Sequence, residues 1–315
     1  MDSSALKKLL TEYEAKRRNA IMHAEEKKET LLEKNPELAT IEKELASVSI
    51  EASKAILIAE PSKKEDFLKQ LEKKIQELKK RKEKLLANIS LEPVFECNLC
   101  KDTGYITEEN KSIMCSCLKQ KLFNIEYNKC NIGNLDRENF STFDFSKYSD
   151  EVNFEKYKSD ISPRKNISII KNICENFIEK FDDPKEPNLL FTGNTGLGKT
   201  FLSNCIANEL LHKGKTVLYQ TAPVMLDTII DYRFGKIKSS DIVENLSTVD
   251  LLIIDDLGTE TINSMKFTEL FNIINTRLLN QNNKITKTII STNLSLKNIF
   301  SIYEERLRFT FCGTL

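Results

Sequence analysis

Along residues 1–92 the apolar positions recur at helical spacing: Leu6, Leu9, Leu10 and Tyr13 near the start, then Phe67, Leu68, Leu71, Ile75, Leu78 and Leu85. Polar and charged residues fill the gaps: Glu72 stands four positions from Gln76, and Gln76 three and four from Lys79 and Lys80, a spacing that supports a solvent-exposed helix. Pro36 and Pro61 interrupt the pattern, and no glycine occurs before Gly104. The pattern predicts three helical segments with turns near Asn35-Pro36 and Glu60-Pro61-Ser62. Two readings of this region stand side by side: a helical spacer and a partner-docking domain. The basic run Lys79-Lys80-Arg81-Lys82-Glu83-Lys84 alternates with apolar helix positions, so it reads as a solvated face in preference to a DNA-contacting one.

From Asn188 onward the period changes. Short apolar runs at Asn188–Thr192, Thr216–Thr221, Asp250–Asp256 and Lys287–Thr292 alternate with amphipathic stretches at Lys199–Leu211, Val224–Phe234, Asp241–Leu246, Met265–Leu279 and Leu296–Phe311. That alternation predicts an α/β domain built on a parallel sheet. Ahead of it, Ile161–Phe181 reads as a helix that Asp182-Asp183-Pro184 brings to a stop. The chain thus divides into a helical region at 1–92, a cysteine-bearing module at 93–133, a linker and helix at 134–186, and an α/β domain at 187–315.

Composition adds limits. A chain of 315 residues has room for about two domains. Lys+Arg and Asp+Glu both number 47, so net charge points to no particular partner, and 30% charged residues fits long solvated helices. The start carries no apolar signal region and no apolar run approaches ~20 residues, so a soluble, cytoplasmic protein with no membrane association is expected. Cysteines in a reducing compartment serve as thiols or metal ligands more often than as disulfides. Of the eight here, Cys130, Cys174, Cys205 and Cys312 are scattered and read as small buried hydrophobes.

The other four form a pattern. Cys97-Asn-Leu-Cys100 and Cys115-Ser-Cys117 are separated by fourteen residues that read as a turn into a hairpin. Four thiolates suit a closed, tetrahedral, structural Zn²⁺ site, with no position left open for catalysis. Free thiols, a redox pair or a [4Fe–4S] cluster are the alternatives.

The chemistry lies further on. Gly193-Asn194-Thr195-Gly196-Leu197-Gly198-Lys199-Thr200 satisfies G-x-x-x-x-G-K-[ST], and it sits between a predicted strand and a predicted helix, as a phosphate-binding loop requires. Backbone N–H groups of such a loop face the phosphates of ATP, the lysine reaches the β/γ-phosphates, and the threonine hydroxyl can ligate Mg²⁺. Fifty-five residues after Thr200, a buried strand would deliver Asp255 to its C-terminal edge. There Asp255 can hold Mg²⁺ through water, while Asp256 acts as general base on the attacking water. Asn293, at the tip of the last predicted strand, can orient that water.

The order of these motifs, with Asp255-Asp256-Leu257-Gly258-Thr259, Ser291-Thr292-Asn293-Leu294-Ser295 and Tyr303-Glu304-Glu305-Arg306, resembles the DnaC/DnaI-type bacterial helicase loaders and the similar IstB transposition-helper ATPases. The resemblance runs from Cys97 to the last residue and includes Arg137-Glu138-Asn139-Phe140-Ser141-Thr142-Phe143-Asp144. It implies an AAA+ P-loop domain with a parallel five-stranded sheet, preceded by a helical N-terminal region and a small zinc-binding module. It also implies ATP-controlled placement of a hexameric replicative helicase on DNA during replication initiation. The helical arm would dock the helicase, and the AAA+ domain would contact single-stranded DNA and associate with its own copies. The cysteine module favours the loader branch over the transposition helpers. A third reading is an adaptor that ATP switches with little hydrolysis. Arg306 corresponds to an arginine finger, but the second arginine expected four residues on is Thr310, and the chain stops at Leu315, so slow hydrolysis and a short C-terminus are expected.

Overall fold

The computed structural model describes residues 3–58, 61–86, 89–108, 110–126, 137–237, 241–261, 263–279 and 284–303. Its contacts divide into two compact units, Leu10–Gly104 and the chain from Tyr105 onward together with the first nine residues.

The helical region comprises α1 (Ser3–Lys34), α2 (Pro36–Ile58) and α3 (Pro61–Leu86). Each proline opens a helix, at the position where its missing N–H and fixed φ cost nothing. Ile41, Leu45 and Val48 of α2 meet Leu71, Ile75 and Leu78 of α3. In both helices the steps are four and then three residues, which keeps one face apolar. The basic run on α3 is partly neutralised by α2: Lys82 pairs with Glu42 at 2.5 Å and Arg81 with Glu37 at 3.2 Å. The Lys82 ammonium holds the Glu42 carboxyl below its ordinary range. Lys79, Lys80 and Lys84 face solvent. No described helix is long and apolar enough to cross a membrane.

The second unit opens with the hairpin β1 (Tyr105–Glu108) and β2 (Lys111–Met114), followed by α4 (Ser116–Glu126). A linker with two 3₁₀ turns, Phe140–Thr142 and Phe145–Lys147, leads through the short α5 (Phe154–Tyr157) to α6 (Pro163–Glu179). The first turn is closed by a reciprocal cap between Asn139 and Thr142. Next come β3 (Leu189–Thr192), α7 (Lys199–His212), β4 (Val217–Thr221), α8 (Ala222–Arg233), α9 (Ile242–Thr248), β5 (Leu251–Leu257), α10 (Ser264–Leu279), β6 (Lys287–Thr292) and α11 (Leu296–Ile302).

All four large-sheet strands are parallel, in the order β3-β6-β5-β4. Strand alternation sends side chains to two cores. Leu251, Ile253, Tyr219 and Ile289 pack against α6 and α7, and the linker aromatics Phe140, Phe143, Phe145 and Tyr148 join them. Leu252, Ile254, Leu218 and Ile290 pack against α8 to α11. Burial on both faces is why β5 opens on the unbroken apolar run Leu251–Ile254. The edge at β4 is covered by α4: the Gln120 side chain donates to the Val217 carbonyl at 2.9 Å and accepts the Val217 N–H at 2.7 Å, as a neighbouring strand would. At the N-terminal end of the sheet, the guanidinium of Arg277, 1% exposed, donates to the carbonyls of Leu246, Val249, Asp250 and Lys287 and to the Thr288 hydroxyl. Its burial pulls the Arg277 pKa down to about 9.

Two sequence expectations need correction. The sheet has four strands among the described residues, not five; each of the four apolar runs makes one strand, and the fifth came from family resemblance alone. The last helix, expected to reach Phe311, has its described part end at Ile302 with Tyr303 as its cap, and residues 304–311 lie outside the described residues. Tyr303 is drawn into the core at 1% exposure and its hydroxyl bonds to Glu260, so an apolar position that extended the helical pattern instead anchors its end.

Candidate active site

The glycine-rich loop links the end of β3 to the start of α7. Gly198 caps α7 at φ 95°, in the left-handed region, and a Cβ there would stand 2.7 Å from the Tyr148 hydroxyl. Only glycine satisfies both conditions. Tyr148 donates to the Leu197 carbonyl at 3.2 Å and stacks on Phe143, so the linker lies directly on the loop. Beside the loop a cavity of about 470 Å³ is lined by Tyr148, Tyr157, Ile161, Ile170, Leu197 and Lys199, among others.

Lys199 donates to the carbonyls of Gly193 at 2.7 Å and Asn194 at 3.0 Å and to Asn293 Oδ1 at 2.7 Å. An ammonium has three donors, and these three acceptors match them. Phosphate oxygens entering the loop would offer stronger, charged acceptors in place of the carbonyls. The third contact joins the loop lysine to the tip of β6, where Asn293 sits, across ninety-four residues of sequence.

Thr200, in the first turn of α7, donates to Asp255 Oδ2 at 3.2 Å. A hydroxyl whose proton is held by a carboxylate presents its lone pair outward, so the donor set fits Mg²⁺ on the test of Thr200 and Asp255 together. Asp255 is 5% exposed, and its carboxylate also accepts from the hydroxyls of Tyr219 and Ser291 and from the Asp256 N–H. Burial, and then the Asp255 charge, push the Tyr219 phenol well above its ordinary range, so it remains a donor.

The register of β5 against β6 shifts between Ile254 and Leu257, and Asp256 within that shift takes φ 55°. A bulge of this kind re-aims side chains at a sheet edge. Burial and the neighbouring Asp255 raise the Asp256 carboxyl above its ordinary range, against the opposing pull of Lys199. The turn that follows is tight: Gly258 has φ 98°, and a Cβ there would collide with Leu294, the residue after Asn293. Glu260 accepts the Gly258 N–H at 2.8 Å and the Tyr303 hydroxyl, tying the turn to the end of α11.

The structure therefore brings Lys199, Thr200, Asp255, Asp256 and Asn293 to the C-terminal edge of the sheet, with Gly193, Asn194, Thr195, Gly196, Leu197 and Gly198 forming the connecting loop. Arg306 and Thr310 lie outside the described residues. The sequence alone assigns no role to Tyr219, Ser291, Glu260 or Tyr148, although Ser291 stands in a family motif. Ser291 lies two residues from Asn293 and was open to notice; Tyr219 looked like one more core residue of an apolar strand.

At the cysteine module, the Asp102 side chain accepts the N–H groups of Glu96 at 2.9 Å and Cys97 at 2.8 Å. Lys101 and Asp102 take positive φ, which folds the Cys97–Cys100 turn tightly. Cys97 and Cys100 lie in the first unit, and Cys115 and Cys117 in the second. Four thiols in two close pairs fit a tetrahedral Zn²⁺ in number and chemistry. Cys174 and Cys205 are fully buried, and burial pushes both thiols up to about 12, which suits inert core positions. Cys130 and Cys312 lie outside the described residues.

A glycine-rich loop on a helix N-terminus, with paired carboxylates at the tip of β5 and all four large-sheet strands parallel, defines a P-loop nucleotide-binding protein. More narrowly, the chain belongs to the IstB-like ATP binding protein family, which matches residues 133–307, more than half of its length. It is similar to the replicative helicase loader DnaC of Escherichia coli (strain K12), 29% identical over 155 residues that cover 49% of this chain and 60% of that one. It is also similar to an ATP-binding protein of insertion sequence IS1162 from Pseudomonas fluorescens, 28% identical over 109 residues, covering 33% of this chain and 45% of that one. Among solved structures, that of DnaI covers 56% of this chain and 86% of its own at 20% identity and a TM-score of 0.42. The chain thus spans about 60% of the length of the DnaC relative it matches.

Proposed function

We propose that this chain is an AAA+ ATPase that delivers a hexameric replicative DNA helicase to DNA. The observation that carries the ATPase reading is the pair of contacts Lys199–Asn293 and Thr200–Asp255, which gather every phosphate- and magnesium-directed motif at one sheet edge. Lys199 and the loop N–H groups hold the phosphates of ATP, and Thr200 and Asp255 hold Mg²⁺, which supplies charge neutralisation when bound. Asp256 takes the proton of the attacking water, and Asn293 orients that water. The cavity under Tyr148 receives the base. The loader role is supported by the similarity to DnaC, together with the helical arm and cysteine module ahead of the family domain. In this reading residues 1–92 dock the helicase, and the ATPase domain contacts single-stranded DNA and further copies of itself. Hydrolysis is slow, because Thr310 stands where a second arginine would serve the neighbouring subunit.

The test is capture. The full chain with ATP should co-purify with the host's hexameric helicase, and a chain beginning at Leu91 should bind ATP but lose the helicase. Retention of the helicase by the shortened chain would move the docking surface elsewhere. A second reading, a transposition helper, is favoured by the insertion-sequence relative. Capture of a transposase and no helicase would establish that reading instead.

The cysteine module is proposed to hold one structural Zn²⁺ on Cys97, Cys100, Cys115 and Cys117. Elemental analysis should find ~1 zinc per chain, and Cys100→Ser should lower it to near zero. Chelation should destabilise the module with little change in ATP affinity, because the loop and carboxylates draw no support from those sulfurs. Iron with visible absorbance, or no metal at all, would oppose the zinc assignment.

A further inference from the structure

Tyr219 belongs to none of the motifs, yet its hydroxyl reaches the centre of the site. It stands in β4, 1% exposed, in register with Ile253, two residues before Asp255 on β5. Side chains two apart on a strand share a face, and two residues of a strand advance about 6.6 Å, a step that a tyrosine side chain spans. The phenol accordingly donates to Asp255 Oδ2, the same oxygen that accepts from Thr200 at 3.2 Å. From the opposite side, Ser291 of β6 donates to Oδ1, which also accepts the Asp256 N–H at 3.0 Å. A carboxylate offers about four acceptor sites. Donors from β4, β6, α7 and the carboxylate's own turn therefore meet it on both oxygens.

The neighbours of Tyr219 in this layer are Val217, Leu251, Ile253 and Ile289, and a phenylalanine would fill the same space with no polar group to satisfy. Burying a hydroxyl among them is unfavourable unless the hydrogen bond returns the cost. We infer that Tyr219 is a positioning residue for magnesium: its hydroxyl holds the Asp255 carboxylate, at the oxygen shared with Thr200, in the orientation that receives the hydrated ion. The inference rests on the proposed nucleotide reading and extends it to a residue outside the motifs. Its physical basis is pre-organisation. A metal-directed carboxylate that turns freely must be ordered when the ion arrives, and one already held on both oxygens need not be.

The experiment uses the full chain with Tyr219→Phe, and measures ATP affinity in EDTA and across a Mg²⁺ titration. Metal-free ATP affinity should stay within about twofold of wild type, because Lys199 is positioned by Gly193, Asn194 and Asn293. The Mg²⁺ concentration for half-maximal effect should rise about tenfold, the lower end of what losing an outer partner of a metal ligand does. At saturating Mg²⁺, KM for ATP should return to the wild-type value. Mn²⁺ with ATP, read by electron paramagnetic resonance, should show the same weakened metal binding. An unchanged Mg²⁺ dependence, or a parallel fall in metal-free and Mg²⁺-dependent affinity, overturns the inference and leaves Tyr219 a core residue. If Tyr219→Phe fails to fold by circular dichroism, Tyr219→Met provides a smaller, adaptable apolar side chain without the hydroxyl and is held to the same outcomes. Wild-type protein that binds no ATP even with Mg²⁺ overturns the nucleotide reading itself, so the two failures are separable.

Discussion

Lys199→Ala is expected to lower ATP affinity by at least about a hundredfold and to leave the protein folded. The lysine would give charge-assisted hydrogen bonds to the β/γ-phosphates, each worth roughly 1.5–3 kcal/mol, and two of them correspond to about 10²–10⁴ in affinity. The fold should tolerate the loss. The acceptors of Lys199 are the Gly193 and Asn194 carbonyls and the Asn293 amide, at the open edge of the sheet, where water can replace the ammonium. Calorimetric titration with ATP, alongside circular dichroism, checks both halves. Unchanged affinity in a folded variant would remove the nucleotide site on which the proposed function stands.

Asp256→Asn is expected to reduce turnover by about 10²–10⁴, the usual contribution of a positioned general base, while Mg²⁺-dependent ATP affinity changes only a few-fold. The separation follows from geometry. Asp255 bonds to Thr200 and is proposed to carry the magnesium role, whereas Asp256 lies within the bulge. Asparagine is also among the residues that tolerate the left-handed conformation that Asp256 adopts at φ 55°, so the substitution should not distort the turn. Single-turnover hydrolysis with ATP measures the effect. Thr310→Arg in the same assay should raise the wild-type rate if a missing arginine limits it. Turnover by Asp256→Asn equal to wild type would place the base elsewhere.

The local chemistry of this chain was written into its residue order. Helical spacing interrupted by Pro36 and Pro61 was enough to name three helices, because a proline at the first turn is a strong and local signal. The loop Gly193–Thr200 was legible because backbone approach to phosphate demands glycine and lysine at fixed intervals. Each of the four runs from Leu189 onward became a strand, and the clearest, Leu251–Ile254, is wholly apolar because β5 is buried on both faces. Where the pattern misled, tertiary contact was the cause. Tyr303 continued a helical spacing, yet its hydroxyl is held by Glu260 and the described helix ends there.

What sequence determined by itself, then, was which residues are candidates to meet phosphate and metal, and the elements that carry them, since both depend on short-range spacing. Only the tertiary structure decided how those elements meet. The order β3-β6-β5-β4 places β5 between the strands that supply Tyr219 and Ser291, and it sets Asn293 beside Lys199. Residues 36 positions apart share one carboxylate for that reason, and strand pairing between distant segments leaves no mark in local spacing. Tyr219 looks like any other core residue until the neighbouring strand brings Asp255 to its hydroxyl.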